Sequence, residues 1–149
     1  MNKLTEAISI ANAAHDKQTD KNNEPYIFHC LRVMEAVRKN GWNEEYQIVA
    51  VLHDILEDTN LTSKMLVQLF GIKNIGSIEY LTKTESISAS EYIDRINKNN
   101  IATVVKYFDI MDNLSEDRMA TLDYKTRTRL KKKYHNYLRL LKFGSGMKE

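Results

Sequence analysis

Apolar residues recur at helical spacing along nearly the whole chain. Over 4–18 the set Leu4, Ala7, Ile8, Ala11, Ala14 and His15 predicts a first helix, with Asn2 or Thr5 available as its N-cap. The segment TDKNNEPYIF interrupts the pattern, because Asn, Asp and Pro favour turns and Pro25 pushes Glu24 towards extended geometry; it reads as an ordered loop. Leu31, Val33, Met34, Ala36 and Val37 mark a second helix over 29–40, closed by Gly41. Asn43 caps a third, with Glu44 and Glu45 in its first turn. Its run from Ile48 to Leu56 is apolar on most faces, which places it in the middle of the fold. Further helices are expected over 62–70 before Gly71, 73–82, 88–98 behind the capping pattern Ser88-x-x-Glu91, and 101–113. A last one over 122–143 carries a stripe of Tyr124, Leu130, Tyr134, Leu138 and Leu141 and stops at Gly144.

Composition agrees with an all-α fold. Five Gly and one Pro in 149 residues are too few for the many turns of a β-sandwich. The length suits one domain spanning 1–149, able to bury a core without disulfides and with no room for further domains. It is expected to fold alone or as a homo-oligomer. Lys and Arg exceed Asp and Glu by 22 − 20, a net charge of +2, which argues against a nucleic-acid or membrane partner and leaves any phosphate-binding charge local. One cysteine, Cys30, excludes an internal disulfide and suits a reducing cytoplasm, though it serves equally as a small buried hydrophobe. The N-terminal stretch is amphipathic and carries Glu6 and Asp16, unlike a signal segment, so a cytoplasmic location is expected.

The richest concentration of reactive side chains is HDILEDT, 53–59, at the end of the third helix. At spacings of three and four residues, His53, Asp54, Glu57 and Asp58 can project from one helix end into one space. Three crowded carboxylates repel unless a positive group joins them. A divalent cation does so, and a histidine nitrogen beside carboxylates suits Mn, Fe or Zn better than Ca. His29 opens the second helix, and Asp109 lies in an apolar helix where a lone carboxylate is costly to bury; one ion satisfies both.

With these residues the chain resembles the HD superfamily, and within it the hydrolase domain of RelA/SpoT-type enzymes and their small stand-alone relatives. The resemblance runs in order through AAHDKQTDKNNEPYIFH, AVLHDILEDTNLT, the following FG and LTK, and VVKYFDIMDN. It implies an all-α HD-domain helical bundle in which His29, His53, Asp54 and Asp109 hold one metal ion, usually Mn²⁺. Glu57 and Asp58 match the acidic pair that handles the nucleophilic water; Lys21, Asn113 and, more loosely, Tyr134 match substrate-contacting positions. The implied reaction removes pyrophosphate from the 3′ position of guanosine tetra- or pentaphosphate. The alternatives are another phosphorylated nucleotide such as NADPH, which a stand-alone relative accepts, and a catalytically idle nucleotide-binding domain.

Three departures from the group bear on substrate more than on metal. Asp20 stands where an arginine is usual next to the lysine, so Asp20→Arg is expected to strengthen hydrolysis of guanosine tetraphosphate. Tyr107 and Phe108 replace a smaller Leu-Ala pair, and Cys30 replaces a proline after His29. Elsewhere His15 reads as a packing residue, His135 as exposed, and Trp42, Tyr46, Tyr80 and Tyr92 as core or interface. Lys131 to Lys133, Lys83 and Arg118 read as surface charge, with phosphate contact as the sharper alternative.

Overall fold

The computed structural model describes residues 2–143, and among these there are ten helices and no strand; one isolated bridge joins Thr19 and Pro25. The helices are α1 Lys3–Ala14, α2 Ile27–Lys39, α3 Glu44–Leu52, α4 Ile55–Asp58, α5 Ser63–Phe70, α6 Ile72–Leu81, α7 Ala89–Asn97, α8 Asn100–Asn113, α9 Glu116–Ala120 and α10 Tyr124–Leu140. Most start at side-chain caps: Asn2, Asn43, Thr62, Ser88, Asn99 and Asp123 each accept a backbone N–H of the first turn. Gly41 and Gly71 follow α2 and α5 at φ 89° and 86°, a conformation that side chains with a Cβ rarely adopt. Gly144, the expected stop of the last helix, lies outside the described residues. No helix of the described chain is long and apolar enough to cross a membrane.

The third helix occupies the middle, as its all-round apolarity predicts. Ile48 to Leu52 are all buried, and α3 packs against α1, α2, α6 and α8. The most extensively buried helix is α8, whose inner residues run from Ile101 to Lys106 and include Phe108, Asp109 and Ile110. These two helices carry His53 and Asp109 into the interior together.

Four expectations are corrected. The third helix does not run on through 53–58: it ends at Leu52, and α4 starts after a break at His53 and Asp54. The first helix stops at Ala14 with His15 as its cap, and Lys17 turns the chain at φ 70°. Helix α9, five residues long and polar, has no apolar periodicity and was not foreseen. In α10 the buried stripe centres on Leu130 and Tyr137, while Tyr124 is 76% exposed. At 3.6 residues per turn Tyr124 lies about 120° round the helix from Leu130, whereas Tyr137 lies about 20° from it.

Candidate functional site

A cavity of about 480 Å³ opens between the loop after α1, the α3–α4 break, α8 and α10, within the range of small-molecule sites. Of the residues singled out from sequence, Lys21, His53, Asp54, Glu57, Asp58, Asp109, Asn113 and Tyr134 all line it. His29 does not reach the lining. It is buried behind Asp109, with Nε2 2.9 Å from Asp109 Oδ1.

The break after α3 makes this convergence possible. On a straight helix His53 and Asp54 would point about 100° apart. Here the turn tightens: the His53 N–H bonds to Ala50 O, and His53 Nδ1–H donates to the same carbonyl at 2.7 Å, which leaves Nε2 facing inward. Asp54 Oδ2 then lies 3.0 Å from His53 Nε2 and 4.0 Å from His29 Nε2. Donor atoms of His29, His53 and Asp109 all fall within 4.8 Å of one another, and all three residues are buried. Two imidazoles and a carboxylate, with a second carboxylate beside them, fit a divalent transition-metal cation such as Mn²⁺, Fe²⁺ or Zn²⁺.

Several partners escaped the sequence reading. Asp109 is not a lone carboxylate: Lys106, one helical turn earlier, donates from Nζ to Oδ2 at 2.9 Å. The ammonium is buried and sits 5.2 and 5.3 Å from the ring centres of Tyr92 and Tyr137. Tyr26 donates its hydroxyl to Asp54 Oδ2. Asp112 accepts from His29 Nδ1 at 2.7 Å and pairs with Arg32 and Arg118, each at 2.9 Å. A carboxylate on the outer nitrogen of a histidine fixes its ring and aims the inner nitrogen at a ligand position. The i,i+3 spacing of Lys106 and Asp109 was a usable signal in the sequence; Tyr26 and Asp112 left none, since their partners are 28 and 83 residues away.

Charge in the site is finely opposed. Burial disfavours a charged His53, yet attraction from Asp54 and Asp109 outweighs it and holds the imidazole well above its ordinary pKa; His29 is raised by Asp109 and Asp112 against the same penalty. Asp109 is held well below the usual carboxylate range despite its burial, chiefly by Lys106 and His53. Asp58 goes the other way. Partial burial and repulsion from Asp54 and Glu57 lift it to about 6, so at neutral pH its negative charge is resisted and a nearby cation relieves it. Beside it, Glu57 Oε1 accepts the backbone N–H of Lys83 at 2.8 Å.

Four further expectations change. Arg118 is not surface charge. Its Nη1 donates to Asp112 and to Asn113 Oδ1, and Nη2 reaches Asp20 at 3.1 Å. Asn113 is engaged at both ends, because Nδ2 also donates to the Asp109 carbonyl and carboxylate. Tyr107 and Phe108 turn away from the cavity: the Tyr107 ring stacks on Phe143 at 4.2 Å, and neither residue lines the site. Cys30 sits not against substrate space but with His53 and Asp54. His15 keeps its packing role, buried against the Tyr26 ring, and bonds Gln18, whose Nε2 donates to the Asp58 carbonyl. Of the lysine run, Lys131 and Lys132 face outward, whereas Lys133 lines the cavity.

Asp20 is also more than a charge at the rim. Its Oδ1 accepts the N–H groups of Asn22 and Glu24 at 2.8 and 3.0 Å, and Oδ2 holds Arg118, with the side chain 3% exposed. The expectation that Asp20→Arg strengthens hydrolysis therefore reverses, because that change removes the loop's anchor and sets two guanidinium groups together. A loss of about 3 kcal/mol or more in folding stability is expected, read as a lower denaturant midpoint, together with weaker activity. An unchanged midpoint would refute the structural role.

Comparison with known proteins bears on the family and the fold. A family model described as "HD domain" matches residues 7–132. Guanosine-3′,5′-bis(diphosphate) 3′-pyrophosphohydrolase of Aquifex aeolicus is 33% identical over 119 residues, covering 74% of this chain and 17% of that protein. The enzyme of the same name from Borreliella burgdorferi is 28% identical over 137 residues, 85% of this chain and 20% of its own. The bifunctional (p)ppGpp synthase/hydrolase SpoT of Escherichia coli is 33% identical over 85 residues, 57% and 12%. The chain thus spans a fifth or less of the length of each of these relatives. A solved structure of a metazoan orthologue of SpoT superposes with a TM-score of 0.76 at 24% identity, over 95% of this chain and 88% of that one, and shares the fold. By the match of its sequence to the family model, the chain belongs to the HD-domain family.

Proposed function

We propose that this chain is a Mn²⁺-dependent phosphohydrolase of a small nucleotide, most consistent with removal of the 3′-pyrophosphate of guanosine tetra- or pentaphosphate. The observation that carries the reading is one cavity in which His53, Asp54 and Asp109 lie beside the Glu57–Asp58 pair, with His29 buried against Asp109 and with Lys21 and Lys133 on the walls. The sequence relatives named as guanosine bis(diphosphate) pyrophosphohydrolases support the substrate class.

In this reading His29, His53, Asp54 and Asp109 hold the ion. Bound there, a divalent cation supplies Lewis acidity, drawing charge from a phosphoryl oxygen and making water easier to deprotonate. The chain's own groups do the rest. Asp112 keeps His29 oriented through Nδ1, and Lys106 holds the Asp109 carboxylate from the far side. Glu57, with one oxygen tied to the Lys83 N–H, has the other free to take a proton. Asp58, lifted to about 6 by burial and by repulsion from Asp54 and Glu57 and lowered from there by a bound cation, is ionised at neutral pH and is a second proton acceptor. Lys21, Lys133 and Tyr134 face the space left for the polyphosphate and sugar.

The test is incubation of the purified, Mn²⁺-loaded protein with a panel containing guanosine tetraphosphate, NADPH and adenosine analogues, followed by chromatography of the products. Release of pyrophosphate from guanosine tetraphosphate is the expected result. Turnover of NADPH alone reassigns the substrate, and no turnover of any member with Mn²⁺ bound points to a nucleotide-binding role.

A further inference from the structure

Cys30 is the only cysteine of the chain, is completely buried, and follows His29 on α2. Its sulfur, a ring nitrogen of His53 and a carboxylate oxygen of Asp54 all lie within 4.8 Å of one another. This second cluster shares His53 with the His29–His53–Asp109 cluster. His53 has only one nitrogen to offer, since Nδ1–H is committed to the Ala50 carbonyl at 2.7 Å. That nitrogen, Nε2, lies 3.0 Å from Asp54 Oδ2 and 3.3 Å from Asp109 Oδ1. One nitrogen lone pair binds one ion, so the two ligand sets exclude each other.

Their chemistry differs. Imidazole and carboxylate donors without sulfur accept Mn²⁺ as well as Zn²⁺, whereas a thiolate in the set adds a preference for thiophilic ions such as Zn²⁺ or Co²⁺ over Mn²⁺. Tetrahedral zinc places such donors about 3.3–3.6 Å apart, so side-chain adjustments of about 1 Å close the Cys30 set around an ion.

We infer that Cys30, His53 and Asp54 form an alternative site for a thiophilic divalent cation, whose occupation withdraws His53 and Asp54 from His29 and Asp109 and blocks the proposed phosphohydrolase centre. On binding, the Cys30 S–H proton is released to solvent as the metal–sulfur bond forms, with no change of oxidation state. The inhibitory consequence rests on the function proposed above; the site itself does not. Sequence alone suggested that Cys30 bears on substrate or on packing, and the cluster moves it to the metal.

Because the chain has one cysteine, any thiolate–metal signal reports this residue. Full-length protein loaded with Co²⁺ is expected to show the intense near-ultraviolet sulfur-to-cobalt charge-transfer band, which Zn²⁺ displaces and excess Mn²⁺ suppresses by claiming His53. Cys30→Ser is expected to lack the band while keeping its Mn²⁺ content by elemental analysis. Cobalt-loaded wild-type protein without the band overturns the site and leaves Cys30 a packing residue, whether or not the serine variant folds. A band that persists in protein shown by elemental analysis to hold Mn²⁺ and Co²⁺ together overturns the mutual exclusion. Failure of wild-type protein to bind Mn²⁺ counts against the phosphohydrolase reading instead, with the cobalt signal still legible.

Discussion

Asp109→Ala is expected to abolish both stoichiometric Mn²⁺ binding and turnover, and His53→Ala to do the same. Asp109 meets His29 at 2.9 Å, His53 at 3.3 Å and Lys106 at 2.9 Å, so its removal takes an oxygen from the cluster and strands a buried ammonium. Breaking one side of a buried pair costs about 3–5 kcal/mol, which makes loss of fold a competing explanation for loss of metal. The double variant Lys106→Met/Asp109→Ala separates them, because an apolar side chain in place of the stranded charge restores stability without restoring a ligand. Circular dichroism and elemental analysis of the double variant are the decisive measurements. A folded protein with full metal content would remove Asp109 from the metal centre.

Glu57→Gln is expected to keep its metal and slow turnover by roughly a hundredfold or more. The amide oxygen can still accept the Lys83 N–H, so the local structure should persist, but neither amide atom takes up a proton at neutral pH. Asp58 is the remaining acceptor nearby. A carboxylate acts as a base only when ionised, so the residual rate of this variant should fall as pH drops through Asp58's range, at or below about 6 because a bound cation offsets the repulsion that raises it. Wild-type rates in Glu57→Gln, with metal content verified, would show that Glu57 carries no proton in the reaction. A residual rate insensitive to pH would remove Asp58 from that role.

The candidate metal and acidic residues are legible in the sequence, as a cluster of ionisable groups and through a resemblance, while their convergence depends on a break that residue patterning hides. Positions 48–56 are apolar almost without interruption and read as one helix; only the fold shows the chain turning at Asp54, which lets the adjacent His53 and Asp54 face the same cavity. The Asp20 departure is similar. In sequence it is a reversed charge, and in the fold it anchors its own loop and binds Arg118, 98 residues away on a helix too short and polar to be foreseen.

What the sequence by itself determined was the helical class, most element boundaries to within a few residues, the caps at Asn2, Asn43 and Ser88 and the central place of α3. These depend on hydrogen bonds and apolar periodicity within windows of three to seven residues, and such local preferences are written directly in residue order. Only the tertiary structure decided which charges neutralise which. Asp112 on His29, Arg118 on Asp20, Tyr26 on Asp54 and Cys30 beside His53 and Asp54 join elements far apart in the chain. A charged side chain has the same identity in sequence whether it ends in water or against an opposite charge. Burial and the direction each helix gives its side chains make that choice, and both arise from the packing of α2, α3 and α8.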